Sequence, residues 1–236
     1  MNDFDKLVLD YEKASSKPDK QHSMLPTLLS LLELNETHVV VDVGCGNGFF
    51  TLPIAQKARH VIGIDNSLEQ LSRTTPAPNI EYICADMLTY DYPSCDRISC
   101  PFVLNYIQSP DDLISLFTRF HMALREEGRL VSIIDMPTSL VHDYRKFGAI
   151  KKVKTSPLKE GTLLEIELYN ENSLIVKLNS IYHEKEVLED CLKNVGFKKI
   201  SWAEPVVSQE GIDLKGKDYW ERYKENCDVA YLVAKK

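Results

Sequence analysis

The sequence predicts an α/β fold built on a mostly parallel sheet. Between Val39 and Asp135, short β-branched apolar runs alternate with segments of helical periodicity, a pattern typical of βαβ crossovers. The runs are apolar throughout, as expected for strands covered on both faces. The predicted strands are 39–43, 61–65, 80–85, 97–100 and 130–135.

The clearest predicted helix spans residues 110–124. Its first residue, Pro110, is followed by two aspartates that suit the positive end of a helix dipole, and Gly128 is expected just past its end. One face carries Leu113, Leu116, Phe117, Phe120 and Leu124. Further helices are predicted at 49–58, near 67–73, around the leucines of 25–32 and around the apolar positions of 187–195, closed by Gly196.

The chain is interpreted as a single domain with an insertion. The alternating strand and helix pattern ends after Asp135. A short helix is expected around 140–148, and a β-hairpin is expected around the polar turn "NENS". The expected parts are N-terminal cap helices at 1–35, a ligand-binding core at 39–135, a substrate-side insertion at 137–183, and a C-terminal helix with closing strands at 184–236.

Bulk properties restrict the class of partner. The net charge of −7 disfavours duplex nucleic acid, which proteins bind mainly by neutralising phosphates. Six cysteines without a C-x-x-C pair, and six histidines without paired ligand spacing, indicate neither a disulfide framework nor a metal site. The acidic N-terminal segment is unlike a signal peptide, and no apolar run is long enough to cross a membrane. A cytoplasmic location is therefore expected.

The stretch "VVVDVGCGNGFF", residues 39–50, predicts a ligand site. Glycines at 44, 46 and 48 follow a strand directly, and glycine is needed where a ligand approaches the main chain or where φ is positive. A dinucleotide-binding G-x-G-x-x-G would require glycine where Phe49 stands. Asp42 would repel a pyrophosphate but could accept hydrogen bonds from an ammonium group. The pattern favours a ligand with a cationic head over NAD or a ligand-free turn.

The segment Asp42-Val-Gly44-Cys-Gly46-Asn-Gly48 resembles the first motif of class I (type 11-like) S-adenosylmethionine (SAM)-dependent methyltransferases. The later strands resemble the same family, since the strands in "VIGIDNS" and "IEYICADML" end at Asp65 and Asp86, and "CPF" lies at the exit of the fourth strand. The resemblance implies a Rossmann-like sheet of seven strands, in the order 3-2-1-4-5-7-6 with strand 7 antiparallel. The cofactor-binding residues that it suggests are Tyr11, Asp42, Gly44, Cys45, Gly46, Asn47, Asp65, Asn66, Asp86, Met87, Pro101 and Phe102. Each aspartate alone could equally be a helix cap or turn former.

Phrases outside the core are similar to the toxoflavin-synthase-like subgroup, notably "DYEKASSKP", "FGAIKK" and "SQEGIDLKGKDYWERY". This likeness implies methyl transfer to a small molecule, with a nitrogen acceptor favoured. A protein or RNA methyltransferase remains an alternative, as does a SAM-binding sensor without turnover. The expected state is a monomer or a homodimer.

Methyl transfer from SAM is an in-line displacement, so alignment of the reactants is the main requirement. A general base is useful only when the acceptor must lose a proton. The catalytic candidates are Asp135, His183 and Tyr106. The acceptor-side candidates are Asn105, Tyr106, His142, Tyr144 and Tyr182, each of which could instead have a structural role.

Overall fold

The computed structural model of the protein describes residues 4–7, 9, 13, 17–139, 141–170 and 173–236. The strands are β1 (Val39–Val43), β2 (His60–Asp65), β3 (Ile80–Cys84), β4 (Cys95–Ser99), β5 (Leu124–Asp135), β6 (Val141–Tyr144), β7 (Ala149–Val153), β8 (Leu163–Asn170), β9 (Ser173–Ile181), β10 (Lys199–Ala203) and β11 (Val229–Lys235). The α-helices are α1 (Leu25–Leu32), α2 (Thr51–Ala55), α3 (Leu68–Leu71), α4 (Pro110–Ala123), α5 (Lys185–Val195), α6 (Gln209–Lys215) and α7 (Lys217–Glu225). A π-helical turn, Lys20–Met24, leads into α1, and 3₁₀ turns lie at Leu104–Tyr106 and Arg145–Phe147.

The main sheet has seven strands in the order β10-β11-β5-β4-β1-β2-β3. Strands β1 to β5 pair in parallel, and β11 runs antiparallel to both β5 and β10. The strand order reverses between β1 and β4, so a crevice opens there at the carboxyl ends of the strands. The predicted fold class, with its order and its antiparallel seventh strand, is confirmed.

Two apolar clusters cover the two faces of this sheet. Val41 points into the cluster that contains α4 and α5, whereas its neighbour Val40 points into the one that contains α1 and α2. All five side chains of β1 are buried, and four of them are valines, as expected for a strand covered on both faces. Burial of each such side chain contributes about 1.5–3 kcal/mol, so both helical layers are held firmly against the strands.

Helix α4 begins as predicted but ends differently. Ser109 caps it by accepting a hydrogen bond from the Asp112 N–H, and Pro110 is its first residue. The helix ends at Ala123, and β5 starts at once with Leu124. Gly128 therefore lies within β5 rather than at the helix end, while Glu127 beside it has a positive φ of 61°.

The insertion forms a second sheet, here called the roof sheet, with the antiparallel order β6-β7-β8-β9. The predicted hairpin corresponds to β8 and β9. The short helix expected around 140–148 is confirmed only for the 3₁₀ turn Arg145–Phe147, because the preceding residues, Val141–Tyr144, form β6 and pair with β7. Tyr144 and Phe147 pack on aromatic residues of α7. The sequence periodicity did not predict this helix.

Candidate active site

The glycine turn after β1 requires glycine for two physical reasons. Gly44, Gly46 and Gly48 all have positive φ, at 65°, 54° and 83°. A Cβ on Gly44 would also overlap Val103 Cγ2, and one on Gly48 would lie 2.7 Å from the Tyr82 hydroxyl. A Cβ on Gly46, by contrast, would have Gln70 Oε1 as its nearest neighbour, at 3.8 Å. The turn is thus packed tightly on two sides and open at its centre.

A large cavity extends from this turn. Its volume is about 820 Å³, which lies in the usual range for small-molecule sites. One end, the cofactor end, is lined by Gly44–Asn47, Asp65–Ser67, Asp86–Leu88 and Pro101–Val103. The opposite side, the acceptor end, is lined by Lys17, Asp19, Asp135, Ala149, Lys151, Ile166, Leu168, Leu178 and Asp228.

Asp65 holds the glycine turn through backbone hydrogen bonds. Its Oδ2 accepts from the Gly46 N–H at 2.8 Å, and its Oδ1 accepts from the Ser67 N–H at 2.9 Å. Burial raises the pKa of Asp65, against the lowering effect of these bonds. Each oxygen retains a lone pair for a ligand hydroxyl.

Asp86, at the exit of β3, has a similar local role. Its Oδ1 accepts a hydrogen bond from the Leu88 N–H at 2.8 Å. The side chain is exposed beside the cavity, and Met87 is half-buried next to it.

Asp42 lies beneath the turn and outside the cavity lining of the described residues. It is fully buried, and its Oδ2 accepts from Thr51 Oγ1 at 2.6 Å. Burial raises the pKa of Asp42 to about 6. This position differs from the expectation that its carboxylate faces a ligand's ammonium group.

Gln70 offers an acceptor at the cavity instead. It is almost fully buried, it lines the cavity, and its Oε1 has no hydrogen-bond partner among the described residues. Sequence reasoning missed it because a glutamine in a short helix carries no motif. An amide oxygen next to the open side of Gly46 suits a donor such as an ammonium group.

The exit of β4 contains an unusual backbone conformation. Phe102 has a positive φ of 61°, and its N–H donates to the Ile133 carbonyl at 2.7 Å. Such conformations cluster at functional sites when the surrounding structure holds them. Pro101 and Phe102 both line the cavity. They lie next to the glycine turn, because the following residue, Val103, packs against Gly44.

At the acceptor end, Lys151 of the roof sheet lies between two carboxylates of the main sheet. Its Nζ is 2.6 Å from Asp135 Oδ1 and 3.0 Å from Asp228 Oδ2, and it donates to the Asp228 carbonyl at 2.8 Å. All three residues are buried. Burial lowers the pKa of Lys151, but the two carboxylates outweigh this effect and raise it above its usual value. The group, here called the buried triad, joins the roof sheet to the ends of β5 and β11.

The remaining predicted residues divide into those at the cavity and those elsewhere. Cys45, Asn47, Asn66 and Tyr106 line it, and the Tyr106 ring packs edge-on against Phe4 at 5.2 Å. Tyr11 lies outside the described residues, and so does the side chain of His142.

Four of the predicted site residues do not line the cavity: Asn105, Tyr144, Tyr182 and His183. Asn105 is fully buried and bridges strands, because its amide donates to the carbonyls of Asp135 and Ile181. Tyr144 packs in the aromatic cluster and donates its hydroxyl to the Tyr223 carbonyl. Tyr182 is half-buried against the core.

His183 is also buried, with both ring nitrogens engaged. Nδ1 lies 2.6 Å from Glu160 Oε1, and Nε2 lies 3.1 Å from the carbonyls of both Leu104 and Ile107. Carbonyl oxygens only accept hydrogen bonds, so Nε2 must donate. This arrangement differs from the expected position of a general base in the acceptor wall.

Comparison with known proteins shows what the core is similar to. Residues 40–128 match the model of a methyltransferase domain. This part of the chain is therefore similar to a methyltransferase domain. In the solved structures, the N-methyltransferase NodS from Bradyrhizobium japonicum, in complex with S-adenosyl-L-homocysteine, is similar in fold with a TM-score of 0.60 and 14% identity, over 96% of this chain and 92% of that one.

Two curated relatives share part of the methyltransferase domain. A 23S rRNA (uracil(1939)-C(5))-methyltransferase from Vesicomyosocius okutanii is 42% identical over 67 residues, which is 28% of this chain and 15% of that protein. A malonyl-[acyl-carrier protein] O-methyltransferase from Marinomonas is 29% identical over 136 residues, 54% of this chain and 48% of that protein. The chain thus spans less than half the length of either relative. Within its described part, no helix is both long and apolar enough to span a membrane.

Proposed function

We propose that this protein transfers the methyl group of SAM to a small-molecule acceptor, with nitrogen as the favoured acceptor atom. The observation that carries the proposal is the single cavity that runs from the glycine turn to the roof sheet. A roof over the carboxyl edge of the sheet suits an acceptor small enough to be enclosed with the donor. The preference for nitrogen rests on the subgroup resemblance.

The residues at the cofactor end fit SAM. The open side of Gly46 and the unpartnered Gln70 Oε1 suit its amino-acid portion, and the free lone pairs of Asp65 suit a ribose diol. By resemblance, Asp86 and Met87 would hold the adenine. When bound, SAM would supply an electrophilic methyl group on a sulfonium.

The residues of the chain would act mainly by positioning. Holding the acceptor nitrogen in line with the methyl group can lower the barrier by several kcal/mol, roughly 7–11 in the best intramolecular models. Asp135 lines the cavity and could orient an N–H or receive the proton that a methylated amine releases. His183 is less suited to this role, because its ring nitrogens already have partners.

Calorimetry with SAM and NAD tests the cofactor. We expect SAM binding without NAD binding, and at least a tenfold loss of SAM affinity in Asp65→Ala, because this carboxylate holds the Gly46 N–H. Asp91→Ala is the matched control, since Asp91 is exposed and forms only an ion pair with Arg119 at 3.6 Å. Equal affinities in the two variants would remove Asp65 from the site.

Transfer of a tritiated methyl group from SAM into cell extracts tests the acceptor. We expect label in the low-molecular-mass fraction. Label confined to RNA or protein would overturn the small-molecule proposal, and tight SAM binding without any transfer would favour a sensor.

A further inference from the structure

We propose that the acceptor end recognises a small molecule with an apolar body and a cationic amine, held by the carboxylates of Asp135 and Asp228. The inference rests on the proposed function, because it names the class of substrate for the same cavity. Three observations support it: the charge of the buried triad, a further buried carboxylate in the same cavity lining, and the apolar side chains that form the remaining walls.

The buried triad contains one more carboxylate than it has cations. The Lys151 ammonium donates to Asp135 Oδ1 and to the Asp228 carbonyl. Asp228 Oδ2 lies 3.0 Å from the same ammonium but forms no hydrogen bond, although this oxygen is buried. Two buried carboxylates that share one ammonium keep an excess negative charge, and a cationic donor in the cavity would relieve its cost.

A second carboxylate lines the same cavity from the N-terminal side. Asp19 is 3% exposed, and its Oδ1 has no hydrogen-bond partner among the described residues. Its Oδ2 pairs with Lys17 Nζ at 3.5 Å. The charge of Lys17 also lowers the pKa of Asp135, so this lysine is shared between Asp19 and the triad.

The charged residues of the whole cavity lining favour a cationic ligand. Among the described residues, seven aspartates and three lysines line the cavity. The third lysine, Lys20, has its Nζ 4.8 Å from the centre of the Phe49 ring. Burial lowers the pKa of Lys20 to about 8, so this lysine is still mostly charged at neutral pH, and the aspartates outnumber the lysines even when it is counted. An anionic acceptor would meet repulsion, whereas an amine would meet complementary charge.

Apolar side chains form the remaining walls of the acceptor end. Ile166 and Leu168 of β8, with Leu178 of β9, line it from the roof sheet. The aromatic rings of Phe4 and Tyr106 line the same cavity. Such walls suit a hydrocarbon or aromatic body and provide no further charge. A few polar groups within an apolar pocket fix the orientation of a ligand.

Three matched probes test the inference: 2-phenylethylamine, 2-phenylethanol and 3-phenylpropanoate. Each is titrated by calorimetry into the protein saturated with S-adenosylhomocysteine. We expect the amine to bind at least tenfold more tightly than the alcohol, and the carboxylate to bind most weakly. Asp228→Asn should abolish the preference for the amine, because the variant loses the charge but retains the shape.

Glu165→Gln is the control variant, since Glu165 pairs with Lys154 at 2.5 Å away from the cavity lining, and it should keep the preference. Thermal melting verifies that Asp228→Asn is folded; if it is not, Asp19→Asn replaces it and should weaken the preference. Binding of the alcohol or the carboxylate as tightly as the amine, or no amine binding at millimolar concentration, would overturn the inference.

The same samples separate this inference from the proposed function. Failure of S-adenosylhomocysteine to bind would count against the proposed function alone, and the probes are then titrated into the free protein. Binding of S-adenosylhomocysteine without preference for the amine would leave the methyltransferase proposal standing and reject the amine.

Discussion

The two ends of the cavity are constructed in different ways. At the cofactor end, short contiguous segments after β1 and β2 provide backbone groups, as in the bond from the Gly46 N–H to Asp65. At the acceptor end, Asp135, Lys151 and Asp228 come from three distant segments and interact mainly through side chains. A site formed by backbone geometry requires glycine at fixed positions, and a site formed by side chains does not. The first is therefore visible in a sequence, and the second is visible only after folding.

The largest effect on stability is expected at the acceptor end, where side chains form the site. Lys151→Met removes the cation between two buried carboxylates, and we expect the free energy of unfolding to fall by about 3–5 kcal/mol. Lys152→Met is the control on the same strand, where the lysine is partly exposed and pairs with Glu167 at 2.8 Å. Urea denaturation should show a loss of about 1 kcal/mol or less for this control. Similar losses in both variants would contradict the assignment of the triad as a buried structural joint.

A smaller effect, on pH dependence, comes from Asp42 beneath the cofactor end. Its folded pKa of about 6 lies above its ordinary value of 3.8, so the folded state binds the proton more tightly than the unfolded state. Relative to Asp42→Asn, the wild-type protein should therefore gain stability as the pH falls from about 7 to about 3, by roughly 3 kcal/mol in total. Urea denaturation of both proteins across this range measures the difference. A difference independent of pH would show that Asp42 is not held in this environment.

The glycine turn provides the next test. Gly44→Ala places a methyl group against Val103 at a positive φ, whereas Gly161→Ala has a comparable φ of 76° with no other atom within 4 Å. We expect Gly44→Ala to lose about 1–3 kcal/mol more than Gly161→Ala in urea denaturation, because only the first is overpacked. SAM affinity, measured by calorimetry, should fall at least tenfold in Gly44→Ala alone. Equal behaviour of the two variants would show that conformational strain, and not contact with Val103, determines the need for glycine.

The smallest expected effect compares two helix caps. Ser67 accepts from the Gln70 N–H at the cofactor end, whereas Ser109, which does not itself line the cavity, accepts from the Asp112 N–H. Each serine-to-alanine substitution should cost about 1 kcal/mol in urea denaturation. Only Ser67→Ala should also lower SAM affinity, by a few-fold, since Ser67 lines the cavity and also donates to Asp5 at 2.5 Å. A loss of SAM affinity in Ser109→Ala would contradict this distinction.

Sequence reasoning was most successful where a local pattern is sufficient. The alternation of apolar runs and helical stripes predicted the parallel strands, and Pro110 marked the start of α4 as expected. It failed where tertiary contacts outweigh local preference. Gly128 has the residue type of a helix end, yet β5 pairs with β4 on both sides of it, at Leu124 and from Arg129 onward, across an irregularity in the register. The segment 140–148 has weak helical periodicity, but β6 gains backbone hydrogen bonds from β7.

The same division applies to individual site residues. Gly44, Gly46 and Asp65 were predicted to lie at the cavity, and they line it, because their positions follow from the ends of β1 and β2. His183 was a candidate base because its segment was assigned to the acceptor wall, whereas both of its ring nitrogens have partners in Glu160 and two backbone carbonyls. Gln70 and Asp228 were not predicted, since neither belongs to a recognisable pattern.

The sequence by itself determined the α/β fold class and the bare turn after β1, because strand periodicity and positive φ restrict which residues can occupy those positions. Only the tertiary structure decided that Asp42 is buried beneath the turn, and that Lys151 crosses from the roof sheet to Asp135 and Asp228. The physical reason is that backbone conformation is a local property of the chain. Burial and charge pairing instead depend on which distant segments the fold brings together.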